Sequence, residues 1–188
     1  MQAIKEFLNF LSALLAPASH GVGFNTFLIF SATALGTMLM VVAAVFLLFH
    51  KDGKHGNALS TPALFRERLK EIFFLATSAL ASLALTTFIK FIVHAPRPFE
   101  TGVASLFTYA GGDSFPSGHA TFFASLAVSL LLLHRNIFTY IFAVLCLVVP
   151  LARVLVGIHY PIDLVAGVVI GSFFSYACWI VFGLWKNK

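Results

Sequence analysis

The sequence predicts an all-α integral membrane helical bundle of about five transmembrane helices, with an N-terminal amphipathic (or short sixth) helix. Three observations predict it. Hydrophobic residues make up 60% of the 188 positions, against roughly 45–50% in soluble proteins. Only 10% of residues are charged, and the mean hydropathy is +0.95, so a soluble fold would lack the polar surface to cover itself. The apolar residues fall in separate runs, each near the ~20 residues a helix needs to cross a bilayer. Backbone polar groups in lipid must pair within their own segment, which favours helices over strands. No internal repeat or composition break divides the chain, so a single membrane-embedded domain is expected over 1–188.

The spans follow in order. They are expected at Phe24–Phe49, Ile72–Val93, His119–Leu133 (shorter), Ile137–Val156 and Asp163–Leu184. The stretch Ile4–Leu15 is too short to cross with ease. Its apolar positions Ile4, Phe7, Leu8, Leu11, Leu14 and Leu15 keep helical spacing, as in a helix lying in the interface. The two cysteines, Cys146 and Cys178, both sit in apolar runs, where packing is a simpler role than a disulfide or a metal site. Trp179, Tyr176 and Trp185 suit an interfacial anchor.

Basic residues set the sidedness. Lys51, Lys54, Arg66, Arg68 and Lys70 lie in the segment His50–Glu71, Arg135 in the next turn on that side, and Lys186 and Lys188 at the end of the chain. These eight fall on one face, which the positive-inside rule assigns to the cytoplasm. A topology signal explains them, and no basic stripe suggests a nucleic-acid partner.

The opposite face then receives three polar blocks, Lys90–Pro98, Pro116–His119 and Arg153–Asp163. Charged groups at membrane depth are costly, so they are functional candidates by default. Lys90 and Arg97 are seven residues apart at a helix end bounded by Pro96 and Pro98. Lys offers a point charge and Arg a planar fork of donors for phosphate oxygens, although a terminal Lys also snorkels. Ser117 and Gly118 open the third helix, whose free N–H groups favour an anion, while Ser117 is equally suited to a simple N-cap. His119 beside them is placed to give a proton to a leaving oxygen. Arg153 closes the fourth span. His159 and Asp163 lie four residues apart in a turn with Gly157 and Pro161. A carboxylate on one ring nitrogen fixes the tautomer and leaves the other nitrogen nucleophilic. His20, His50, His55 and His134 lie in loops or at span ends, and His94 is one turn from Lys90. Glu100 and Asp113 in the outer loop have no assignable role. Neither a nucleotide fingerprint nor metal-ligand spacing is present, so no cofactor and no metal are expected.

At these residues the chain resembles the type 2 phosphatidic acid phosphatase superfamily of membrane lipid phosphatases. The family pattern Lys-x6-Arg-Pro is met by Lys90, Arg97 and Pro98, and Pro-Ser-Gly-His by Pro116, Ser117, Gly118 and His119. Ser-Arg-x5-His-x3-Asp is met by Arg153, His159 and Asp163, with Ala152 in place of the serine. The motif core is 90–163. The resemblance implies that His159 is a nucleophile forming a phosphohistidine, activated by Asp163, with His119 protonating the leaving group. It implies that Lys90, Arg97, Ser117, Gly118 and Arg153 bind phosphate without a metal. The implied partners are the bilayer and a membrane lipid phosphate. The implied setting is a bacterial inner membrane, multi-pass, with the site facing the periplasm. Undecaprenyl diphosphate, phosphatidylglycerophosphate, phosphatidic acid and the 1-phosphate of lipid A are the candidate substrates. Gly118 weighs against the first, because some dedicated diphosphatases of the family resemble Pro-Ser-Asp-His. The alternatives are a lipid phosphotransferase using the same residues and a non-catalytic lipid-binding or transport protein whose site decayed at Ala152. Oligomeric state is open.

Overall fold

Among the described residues five apolar helices form the bundle, and their ends place the polar blocks. The computed structural model describes residue 6 and residues 22–49, 62–106, 109 and 112–186. Apart from Glu6, the expected amphipathic helix Ile4–Leu15 lies outside the described residues, as do Lys51, Lys54, Lys188, His20, His50 and His55. The helices are α1 (Val22–Phe49), α2 (Pro62–Val93), α3 (Gly118–Leu133), α4 (Ile137–Leu155) and α5 (Pro161–Lys186), with a one-turn 3-10 helix at Pro98–Thr101. Four of them are long and apolar enough to cross a membrane, and α3 is a shorter apolar helix. Among the described residues there is no strand.

The boundaries agree with the hydropathy reading except at the start of α2. The charge pattern predicts a loop as far as Glu71, whereas the helix already begins at Pro62. Proline suits the first turn, where its missing N–H has no partner to lose. Ion pairs three residues apart then carry the polar turns: Lys70 to Glu67 at 2.7 Å and Arg68 to Glu71 at 2.9 Å. Such pairs support a helix that projects from the bilayer. At the other end α2 stops at Val93, close to the break expected from Pro96 and Pro98.

α3 is the centre of the bundle. It packs on α2, α4 and α5, while α1 packs chiefly on α4. Lipid tails are as apolar as leucine side chains, so close backbone approach and hydroxyl contacts, rather than hydrophobicity, hold membrane helices together. Both devices occur here. Gly167 and Gly171 lie one turn apart on α5 against α3. A Cβ on Gly167 would sit 2.7 Å from the Ser117 carbonyl and 3.0 Å from the Thr121 nitrogen, and one on Gly171 would collide with the Thr121 carbonyl. Below them, fully buried serines from three helices join. Ser78 of α2 meets Ser129 of α3 at 2.9 Å, and Ser175 of α5 accepts from Ser129 at 3.1 Å and has the Ser125 hydroxyl as an acceptor at 3.1 Å. Thr86 meets Thr121 at 2.9 Å one level higher. An apolar layer including Leu39, Phe74, Phe123, Leu130 and Phe142 fills the rest. Val165, Val169 and Phe173, spaced by one turn, stay exposed as a stripe on α5, where lipid would cover them.

The helix ends fall into two groups. His134, at the α3–α4 turn, lies 3.5 Å from Glu71 of α2 and stacks edge-on against Phe46 of α1. Arg66, Arg68, Lys70 and Arg135 therefore share this end. The Lys90, Ser117, Arg153 and Asp163 ends meet at the other. With 16 residues, α3 rises only about 24 Å, short of the ~30 Å hydrocarbon core. Its N-terminus lies level with that of α5, where Ser117 meets Asp163, and α2 and α5 run on past its C-terminal end. Cys146 is buried, Cys178 half-buried, and both are free thiols.

Replacing Gly171 with leucine would force α5 off α3. The expected result is destabilisation by about 1–3 kcal/mol or more, read as a lower melting temperature and loss of monodispersity in detergent. A leucine at exposed Val169 of the same helix should leave both unchanged.

Candidate active site

Two helix N-termini are hooked together at this end of the bundle. The Ser117 N–H donates to the main-chain carbonyl of Asp163 at 3.0 Å, which sets the start of α3 beside the start of α5. Ser117 is the N-cap of α3, its hydroxyl accepting from the Ala120 N–H at 3.4 Å. Gly118 follows, with open space where a Cβ would stand. The first turn of α3 therefore offers unpaired N–H groups beside a gap.

The nucleophile candidate is held from both sides. His159 is 3% exposed and Asp163 1%. His159 Nδ1 lies 3.2 Å from Asp163 Oδ2, and His159 Nε2 lies 3.4 Å from Arg97 Nη1. With the proton on Nδ1 directed at the carboxylate, the lone pair of Nε2 faces the guanidinium. The same Oδ2 accepts the Tyr160 N–H at 2.9 Å and the Ser114 hydroxyl at 2.5 Å. Asp163 is thus both a capping residue for α5, whose first residue is Pro161, and the partner of His159. Gly157 allows the turn before them. Its φ is +81°, and any side chain would strike the Ala104 carbonyl. Burial draws the His159 pKa down to about 4, opposed by the hydrogen bond and charge of Asp163 and assisted by Arg97 and Arg153.

The cations reach the site by different routes. Arg97, buried, donates through Nε to the Gly112 carbonyl at 2.8 Å and through Nη1 to the Ile158 carbonyl at 2.9 Å. Its own N–H donates to Glu100 Oε2 at 2.9 Å, so Glu100 fixes the turn that presents it. Lys90, half-buried, donates to the carbonyls of Asp113 and Ser114, the latter at 3.3 Å. Arg153 donates through Nη1 to the Ala32 carbonyl of α1 at 2.9 Å, while its buried Nε and Nη2 meet no hydrogen-bond acceptor within bonding geometry among the described residues. Unpaired buried guanidinium donors are costly unless an anion meets them. The ring of Tyr109 lies 4.5 Å from the Arg97 guanidinium carbon and 5.2 Å from that of Arg153, and so bridges the two. His119 is exposed, and Arg153, His159 and Arg97 are the charged groups that act on it.

The structure therefore gathers the candidates from all three blocks at one end of the bundle. It adds four residues that the sequence reading left without a role: Ser114, Tyr109, Glu100 and Ala32. Ala32 acts through its main-chain carbonyl, which no sequence pattern marks. Tyr109 and Ser114 lie in the outer loop, where Ser114 stands three residues before Ser117. That closeness was the only signal available.

Comparison with known proteins names the scaffold. Residues 71–186 match the model of the PAP2 superfamily. The chain belongs to the PAP2 superfamily. It is 31% identical over 166 residues to a lipid A 1-phosphatase of Rhizobium etli, covering 80% of this chain and 68% of that one. It is 32% identical over 111 residues to undecaprenyl-diphosphatase BcrC of Bacillus subtilis, a match spanning 56% of each protein. The chain thus spans little more than half the length of that relative. Among solved structures, Aquifex aeolicus LpxE superposes with a TM-score of 0.69 at 20% identity, covering 90% of this chain and 92% of that one. A phosphatidylglycerolphosphate phosphatase of Bacillus subtilis superposes with 0.63 at 18%, covering all of this chain and 89% of that one. These two likenesses show the PAP2 fold. The chain is a multi-pass membrane protein of this superfamily.

The Tyr109 bridge gives a test of the cation cradle. Tyr109→Leu should weaken inhibition by orthovanadate, a phosphate mimic, roughly threefold to tenfold through loss of two cation–π contacts. The melting temperature of the bundle should stay put, since leucine keeps an apolar contact with the cluster that Tyr109 packs against.

Proposed function

We propose that the protein hydrolyses a terminal phosphate from a membrane lipid phosphate or diphosphate, through a phosphohistidine on His159, at the non-cytoplasmic face of a bacterial inner membrane. The observation that carries this reading is the His159 ring held between Asp163 and Arg97, with the unpaired Nε and Nη2 of buried Arg153 nearby. A binder of lipid phosphates needs the cations. It has no use for a carboxylate-oriented imidazole.

The chemistry proceeds in two displacements. His159 Nε2 attacks phosphorus while the P–O bond to the lipid breaks. The electron pair leaves on that oxygen, and His119 supplies its proton. Water then attacks the phosphohistidine, the N–P bond breaks back to Nε2, and His119 receives the proton from the water. Lys90, Arg97 and Arg153, with the N–H groups around Ser117 and Gly118, stabilise charge on the non-bridging oxygens. They supply what a metal would supply elsewhere, so no metal is required in this mechanism. The adjoining starts of α3 and α5 suit a substrate whose tail lies among the helices and whose headgroup enters from the outer side.

Two relatives supply the ground for ranking the candidate substrates. Lipid A 1-phosphatase is matched over the greater share of this chain, and undecaprenyl-diphosphatase over the shorter. We rank lipid A 1-phosphate and undecaprenyl diphosphate ahead of phosphatidylglycerophosphate and phosphatidic acid on that ground. A lipid phosphotransferase is the second reading. It uses the same first displacement and replaces water by another lipid.

The deciding experiment is phosphate release from the four lipids by purified protein in detergent with EDTA present. Release in the wild type and none in His159→Ala is the expected result, and equal release by the two would overturn the mechanism. Asp163→Asn should lower kcat by on the order of a hundredfold or more. Protonation removes the Nε2 lone pair, so the rate falls as pH falls through the His159 pKa. In His119→Gln, which lacks the other histidine, the acid limb should therefore have its midpoint near 4 and not near the ordinary 6.5. For sidedness, a cysteine at exposed Ala104, with Cys146 and Cys178 replaced by alanine, should react with a thiol reagent confined to the periplasm. Labelling only after lysis would reverse the orientation.

A further inference from the structure

We propose that Ser114 is a positioning residue of the His159–Asp163 pair, its hydroxyl holding the carboxylate so that the imidazole proton stays on Nδ1 and the lone pair on Nε2. The proposal rests on the reading of His159 as nucleophile. Ser114 lies in the outer loop, has no exposed surface, and places Oγ 2.5 Å from Asp163 Oδ2 and 3.4 Å from His159 Nδ1. Oδ2 thereby receives three donors, from Ser114, the Tyr160 N–H and His159.

Only one arrangement of protons satisfies all three contacts. If Asp163 is ionised, it accepts every bond. Ser114 must then donate to Oδ2, and its oxygen can face the Nδ1–H only as a weak second acceptor. If Ser114 were turned to donate to Nδ1, the imidazole proton would move to Nε2 and the nucleophile would be lost. Competition from the ionised carboxylate prevents that turn, since a charged acceptor makes the stronger bond. Without the hydroxyl, Oδ2 keeps the Tyr160 N–H, but nothing limits rotation of the carboxylate away from the ring on the Ser114 side.

The loop itself is held independently of this hydroxyl. The Ser114 N–H donates to the Ala95 carbonyl at 2.8 Å, and the Ser114 carbonyl accepts from Lys90. Both are main-chain groups that alanine retains. Ser114→Ala therefore removes one buried oxygen and leaves the strap over the site in place. That separation is what allows positioning to be told from folding.

The test uses the full chain in detergent, with His159→Ala as reference. Ser114→Ala should lower kcat on the order of 10- to 100-fold, with KM held within about twofold and the melting temperature unchanged. Ser114→Thr, which keeps the hydroxyl, should recover most of the lost rate. A second readout needs no turnover. With isotope-labelled histidine, the ring-nitrogen NMR signals that vanish in His159→Ala should report an Nδ1–H tautomer in the wild type and a mixed or reversed one in Ser114→Ala. An unchanged kcat overturns the proposal, as does an unaltered His159 tautomer in the alanine variant. If the wild type releases no phosphate from any lipid, the functional reading fails by itself, and the tautomer comparison still decides the role of Ser114.

Discussion

The close contact of α5 with the backbone of α3 is the constraint on which the site depends. Gly167 and Gly171 remove the two side chains that would hold the helices apart. Only at that separation can the Ser117 N–H reach the Asp163 carbonyl. This one bond sets the turn that carries His159 against the turn that would receive a phosphate. A membrane bundle gains little from burying apolar surface against lipid, so the position of α5 must come from such short-range fit. The serine contacts among Ser78, Ser129 and Ser175 repeat the device lower in the bundle and lock α2 into the same register.

Charge at this end of the bundle is oriented by neutral main-chain acceptors. Arg97 is held by Gly112 and Ile158, Lys90 by Asp113 and Ser114, and Arg153 at Nη1 by Ala32. Each carbonyl orients a cation without cancelling its charge. A carboxylate in the same role would neutralise the cation and compete with phosphate for it. Asp163 is a buried carboxylate among these cations, and its hydrogen bonds go to His159, Ser114 and Tyr160 rather than to an arginine or lysine. Glu100 and Asp113 also act on Arg97 by charge, but the side-chain donors of the cations are oriented by carbonyls, which leaves them suited to an anionic substrate.

Hydropathy alone made the spans legible, because an apolar run of bilayer length has few other solutions. The α2 start was misread because charge suggests a loop, whereas Lys70, Glu67, Arg68 and Glu71 are spaced to pair along a helix. At the candidate site, residues inside the three motif blocks could be named from spacing. Ser114, Tyr109 and Glu100 could not. They act across 49, 44 and 3 residues, on Asp163, Arg153 and Arg97 respectively, through a loop with no periodicity to betray its path. Ser117 illustrates a different limit. The sequence allowed it to be an N-cap or a phosphate ligand, and its hydroxyl is engaged as a cap, while its main-chain N–H does the linking to Asp163.

Ala152 is the departure from the family pattern, and its surroundings give that departure a physical sense. It is 2% exposed and packs with Leu28, Ala32, Val156 and Ile158, an apolar cluster between α1 and the end of α4. A serine hydroxyl there would need a bond back to a carbonyl of its own helix, as Ser78 and Ser175 make to Leu75 and Gly171. The methyl group has no such requirement. It lets α1 approach closely enough for the Ala32 carbonyl to take Arg153 Nη1. The arginine is thus braced by a main-chain oxygen of a neighbouring helix, and its Nε and Nη2 stay available. On this argument the alanine exchanges one way of steadying Arg153 for another and leaves the cation's charge directed at the site.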